Sequence, residues 1–275
     1  MTPYRFVPGT IPLLVSMPHV GTGLPDGLAD RLAPAARDLP DTDWHVDALY
    51  DFLGGLGASV IVATRSRYLV DLNRPADDAS LYPGQTTTGL FPDTTFAGGP
   101  VWAKPVTEAE RSAFRADIWQ PYHDRIAAEL ARLRDRFGHA LLWDAHSIAP
   151  VLPRLFDGRL PDLNLGSNGG LSCPPSVARA VLAAAGDDHT AVLDGRFKGG
   201  HITRQYGRPA ERVLALQLEL SQATHLAEGP PPRLDPAKAG ALRPVLRRMI
   251  ETFLSAAADH FATLPPAAPL PESPR

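Results

Sequence analysis

This sequence has a single cysteine, Cys173, among 275 residues. One thiol forbids an intrachain disulfide and a thiolate zinc finger, so nothing in the chain calls for an oxidising compartment. A basic tract is also missing: 27 Lys and Arg stand against 30 Asp and Glu, a formal net charge of -3. That balance speaks against a nucleic-acid footprint and against a membrane-surface patch. No apolar stretch approaches the roughly 20 residues that span a bilayer. Residues 11–17 form the first apolar run, but Pro12 interrupts it and Pro18-His19 follows without a small-residue cleavage pattern, unlike a signal peptide. The expectation is a cytoplasmic protein with no nucleic-acid or membrane partner.

What is present is ordinary in bulk. Hydrophobic residues make up 44% and charged residues 21%, the composition of a soluble domain with enough chain for a substantial core. Proline is the exception, with 29 residues, about double the usual usage of about 5%.

The order of patterns reads as strands alternating with helices. Residues 11–17 predict a strand that ends in a tight loop at Pro18-His19-Val20-Gly21. Within 43–56, Val46, Leu49, Tyr50 and Leu53 recur at helical spacing, and Gly54, Gly55 and Gly57 end the stripe. Residues 58–63 and 68–72 are short apolar runs with strand character. Residues 75–105 are rich in Pro, Gly, Thr and Asp; about thirty residues without periodicity suggest a functional loop. Thr107 with Glu110 forms a capping box that opens a helix to about Phe137, with a kink expected at Pro121. Further strands are expected at 140–143, 190–193 and 213–220, and helices at 175–185 and 236–261. Residues 1–263 are therefore read as one catalytic α/β domain with a mostly parallel sheet, and 264–275 as a proline-rich tail.

In such sheets chemistry gathers beyond the carboxyl ends of the strands. Of nine histidines, His123, His139, His189, His225 and His260 have no partner nearby in sequence and read as core or surface filler. His19, His45, His146 and His201 instead stand in Gly-, Pro- or Asp-rich contexts after apolar runs. Imidazoles from two strand ends, His19 and His146, together with one carboxylate, make the ligand set of a catalytic zinc site that keeps a position open for water. Asp41, Asp43, His45 and Asp47 are all candidates for the third ligand, and helix capping is the alternative role for Asp41 or Asp43. Arg65, Arg67 and Arg74 surround Asp71 and Asn73, which suggests an anionic small-molecule substrate or, alternatively, an internal Arg–Asp pair. Residues 196–204 form a second basic loop, in which His201 or Arg204 could reach a ligand. Glu219 sits among leucines near a strand end, where an unpaired acid is costly, and is a candidate general base.

Six blocks in order carry a resemblance: Pro18-His-Val-Gly21, residues 41–50, residues 66–75, Trp143-Asp-Ala-His-Ser147, Lys198-Gly-Gly-His-Ile-Thr-Arg204 and residues 217–222. Together they resemble the N-formylglutamate amidohydrolase family. The resemblance implies a three-layer α/β fold with a mostly parallel or mixed sheet, like the zinc carboxypeptidases. It also implies one zinc ion per chain and hydrolysis of N-formyl-L-glutamate to L-glutamate and formate, a step of histidine degradation. Carried over by motif, His19, Asp43 and His146 would hold the metal, although Thr22 stands where the wider carboxypeptidase-like group has a glutamate ligand. Glu219 would be the base, Arg67 would steady the oxyanion, and Asn73 and Arg74 would hold a substrate carboxylate. Competing readings are deacylation of another N-acyl amino acid and a non-catalytic carboxylate binder of the same fold.

Overall fold

The computed structural model describes residues 2–80 and 87–265. A seven-stranded mixed sheet forms its centre. Its strands are β1 (Tyr4–Val7), β2 (Leu13–Met17), β3 (Ser59–Ala63), β4 (Ala140–Ile148), β5 (Leu163–Gly166), β6 (Ala191–Leu193) and β7 (Val213–Ser221). They lie in the order β1-β3-β2-β4-β7-β5-β6. Strands β3, β2, β4 and β7 run parallel, whereas β1 pairs antiparallel with β3 and β5 antiparallel with β7.

Helices cover both faces. Helices α1 (Val46–Leu49), α2 (Leu53–Leu56), α5 (Pro175–Ala183) and α7 (Pro236–Ala262) bury their apolar sides on one face, over Leu13, Val15, Leu141, Trp143 and Leu216. On the other face, α3 (Glu108–Phe114), α4 (Gln120–Phe137) and α6 (His201–Tyr206) enclose a second core with Leu14, Ile61, Leu142 and Ala215. The α/β expectation holds, with a mixed sheet. No helix among the described residues is long and apolar enough to cross a membrane. Of the expected tail, 266–275 lies outside the described residues, as does 81–86 of the long loop.

Four local expectations need correction. The run 68–72 is not a strand. Ser66 Oγ accepts from the Tyr68 amide at 3.3 Å and Asp71 Oδ1 from the Asn73 amide at 2.8 Å. These side chains supply the turn bonds that strand pairing would otherwise have provided, while Tyr68, Leu69 and Leu72 still reach the core. The single helix expected over 43–56 is two short ones. The Thr107 capping box is present, but the helix it opens passes through a π-helical turn at Arg115–Trp119 before continuing as α4. Pro121 cannot donate the next backbone bond, and the wider turn sits immediately before it. Finally, β4 does not stop at Trp143 but runs to Ile148 with every residue buried. Asp144, His146 and Ser147 hide the continuation from an apolar-run reading because their burial is compensated by polar partners. Strands β1 and β5 have no counterpart in the sequence reading.

Candidate metal centre and active site

Sheet register aligns the polar residues. His146 on β4 stands opposite Glu219 on β7, and Glu219 stands opposite Asn164 on β5. Two residues earlier, Ser16, Asp144 and Gln217 are aligned across β2, β4 and β7. Directly opposed residues share a face, and strand side chains alternate. Both rows therefore point to the α4–α6 side near the carboxyl ends of the parallel strands, as Ser16 meeting the Tyr122 hydroxyl of α4 at 3.1 Å also indicates.

His19 comes from the loop after β2, and Asp43 from the segment leading into α1. His19, Asp43 and His146 are all buried, and one donor atom from each lies within 4.8 Å of the others. His146 Nδ1 is 3.1 Å and His19 Nδ1 3.7 Å from Asp43 Oδ2. Each ring's other nitrogen has its own carboxylate: His19 Nε2 meets Asp71 Oδ1 at 2.8 Å, and His146 Nε2 meets Asp144 Oδ2 at 2.8 Å. Asp71 and Asp144 hold each Nε2 as the nitrogen that would keep its proton, and each Nδ1, which faces Asp43, is the nitrogen that would ligate a metal placed between them. Two oriented imidazoles and a carboxylate, backed by outer carboxylates, are the donor chemistry that suits a divalent metal.

Without a metal, the buried charges of the cluster stabilise one another. Burial alone would raise Asp43, but its bonds with His146 and His19 outweigh burial and hold it well below the ordinary carboxylate range. Asp71 is likewise lowered despite burial, by Arg67 and His19. Burial opposes charge on His146, yet Asp144 and Asp43 raise it. Glu219 goes the other way: burial pushes its carboxyl up to about 8, with His146 opposing the rise.

His19, His146 and Glu219 open onto a cleft that Arg67, Asn73 and Arg74 also line. Arg67 donates to Asp71 Oδ2 at 2.6 Å and to the Asp41 carbonyl at 3.3 Å, with its guanidinium 4.6 Å from the Phe96 ring centre. Arg74 is held by the Thr88 carbonyl at 2.7 Å and the Thr88 hydroxyl at 3.2 Å. The π-helical turn contributes here, since Trp119 Nε1 donates to the Arg74 carbonyl at 2.9 Å. Asn73 knits the wall together: its Oδ1 accepts from the Ile202 amide at 2.8 Å and its Nδ2 donates to Asp144 at 3.3 Å. Gly200 must be glycine for this to fit, because a Cβ there would lie 2.3 Å from Asn73 Nδ2.

The remaining candidates are placed elsewhere. Asp41 Oδ2 accepts from the Phe96 amide at 2.9 Å, Asp47 is exposed beside Arg5, and His45 Nε2 meets the Pro232 carbonyl at 3.2 Å. His201 and Arg204 are on α6, not in a loop, and do not line the cleft. His201 packs near Trp119 and His123, and Arg204 Nε donates to the Gly199 carbonyl at 2.8 Å. The sequence reading did not single out Asp144, Gln217 or Arg196. Asp144 carried a signal, since it lies two residues before His146 and a strand puts both on one face.

The family model for N-formylglutamate amidohydrolase matches residues 11–226. An N-formylglutamate deformylase of Pseudomonas aeruginosa is 51% identical over 261 residues, covering 94% of this chain and 98% of the relative. One from Pseudomonas putida is 48% identical over 260 residues, covering 93% and 97%. Among solved structures, the crystal structure of N-formylglutamate amidohydrolase from Ralstonia eutropha JMP134 superposes with a TM-score of 0.79 at 25% identity, covering 96% of this chain and 100% of that one. With a match across most of its length and relatives near half identical, the chain belongs to the N-formylglutamate amidohydrolase family.

Proposed function

We propose that this chain hydrolyses N-formyl-L-glutamate with water to L-glutamate and formate, using a zinc ion held by His19, Asp43 and His146. The observation that carries the reading is the buried His–Asp–His cluster, whose two histidines line the same cleft as Glu219. Zinc bound there supplies a Lewis acid and a water that ionises near neutral pH.

The chain's own residues do the rest. Asp71 and Asp144 keep the two imidazoles in the tautomer that leaves Nδ1 free to ligate. Glu219 takes a proton from the attacking water as its oxygen bonds to the formyl carbon. It then delivers that proton to the departing nitrogen as the C–N bond breaks. Burial raises this carboxyl, which suits the return of the proton, while the positive charge of Arg67 and of a bound metal would favour the ionised form that the first half needs. Arg67 is preorganised by Asp71 to donate to the formyl oxygen as negative charge develops there. Arg74 faces the substrate α-carboxylate, and Asn73 acts as a positioning residue between α6 and the metal ligands. The reaction belongs in a reducing cytoplasm, and the lone buried Cys173 is compatible with that placement.

Metal analysis paired with Glu219→Gln tests this. The variant is expected to bind one zinc as the native protein does and to lose about 100-fold or more in kcat. Full turnover by the variant would remove Glu219 from the mechanism, and a protein that takes up no metal would remove the centre.

A further inference from the structure

Three arginines line the cleft, Arg67, Arg74 and Arg196, and Glu219 is the one acid among the described lining residues. They arrive from different sides of the sheet. Arg67 and Arg74 follow β3, whereas Arg196 follows β6 at the far edge, with β2, β4, β7 and β5 between. Arg196 therefore meets a ligand from across the row of His146 and Glu219. Its Nε donates to the Leu155 carbonyl at 2.8 Å, which fixes the root of the guanidinium fork. Leu155, Phe197 and Ile148 line the same wall, giving an apolar approach to that fork.

An N-formyl dicarboxylic amino acid presents three groups: the formyl, the α-carboxylate, and a second carboxylate beyond a methylene arm. Arg67 is tied to the metal-side network through Asp71, and Arg74 to Asn73 and Thr88. Arg67 touches this wall at Phe96, but Asp71 ties its fork to His19 on the metal side, where the formyl group must sit. Guanidinium forks match carboxylates in geometry as well as charge. Resting on the formamide-hydrolase reading above, we infer that Arg196 binds the side-chain carboxylate of the substrate and sets the preference for an acidic over a neutral side chain.

The test is formate release from N-formyl-L-glutamate and N-formyl-L-glutamine by the zinc-loaded protein and by Arg196→Gln and Arg196→Lys. The native protein is expected to favour the glutamate compound by on the order of 100-fold in kcat/KM. In Arg196→Gln that preference collapses, mainly through KM for the glutamate compound, and the glutamine compound changes by less than about threefold. Arg196→Lys shifts the ratio in the same direction by about tenfold, since an ammonium keeps the charge and loses the fork; this variant carries the test if the glutamine one does not fold. Equal losses for both compounds, or an unchanged ratio in either variant, would overturn the assignment. A native protein that releases formate from neither compound would overturn the hydrolase reading itself, whereas turnover without preference would overturn only the role of Arg196.

Discussion

Asp71→Asn is the substitution most informative about how the centre is built. The native carboxylate is fully buried and accepts from His19 Nε2 at 2.8 Å, Arg67 Nη2 at 2.6 Å and the Asn73 amide at 2.8 Å. An amide keeps the shape but has one accepting oxygen, so its NH2 must face either Arg67 or His19. Facing Arg67, it leaves a buried guanidinium without its carboxylate, a loss of about 3–5 kcal/mol in folding stability. Facing His19, it forces the proton from Nε2 to Nδ1, the nitrogen turned toward Asp43, and the ligand is blocked. Outer-carboxylate removal typically weakens metal affinity by about 10–100-fold, equivalent to about 1.4–2.7 kcal/mol. Both effects should be read on one preparation: zinc affinity by chelator competition, and stability by denaturant titration of the metal-free protein. A variant with native zinc affinity and native stability would refute the argument, since no orientation of the amide satisfies all three donors.

Other consequences follow from the packing. Burial lowers His123 to about 3 and His225 to about 4, so both are neutral in the folded chain near pH 7. The unfolded chain takes up these protons first, so stability falls as pH drops below about 6.5, by about 2 kcal/mol per group at pH 5. In His123→Gln, denaturant titrations at pH 7 and pH 5 should show a loss about 2 kcal/mol smaller than in the native protein; an identical loss would contradict the assignment. Gly200→Ala should displace the Asn73 amide, because the added methyl would sit 2.3 Å from it. The expected cost is about 1–3 kcal/mol in stability, with a fall in activity larger than that of Gly55→Ala, whose Cβ meets nothing within 4 Å. Equal behaviour of the two variants would show that the wall at Asn73 is not tightly built.

Much of the site was legible because its residues sit in short, unusual local contexts. His19 after Pro18, His146 two residues past Asp144, and Glu219 among leucines all contrast with their apolar neighbours. Their convergence was less legible, since it depends on register: His146, Glu219 and Asn164 share a row only because β4, β7 and β5 pair as they do. A periodicity argument sees one strand at a time. The same limit explains the early stop assigned to β4, where Asp144 and His146 continue a strand that looks finished. His201 and Arg204 were drawn to the site by their neighbouring glycines. Gly200 instead brings the backbone close to Asn73, and neither His201 nor Arg204 is among the residues that line the cleft.

The most direct measurement is formate release from N-formyl-L-glutamate by purified protein of known zinc content, before and after chelation and after zinc is restored. The account requires turnover that disappears with the metal and returns with it, at about one zinc per chain. Undiminished turnover by the metal-stripped protein would contradict the role given to His19, Asp43 and His146.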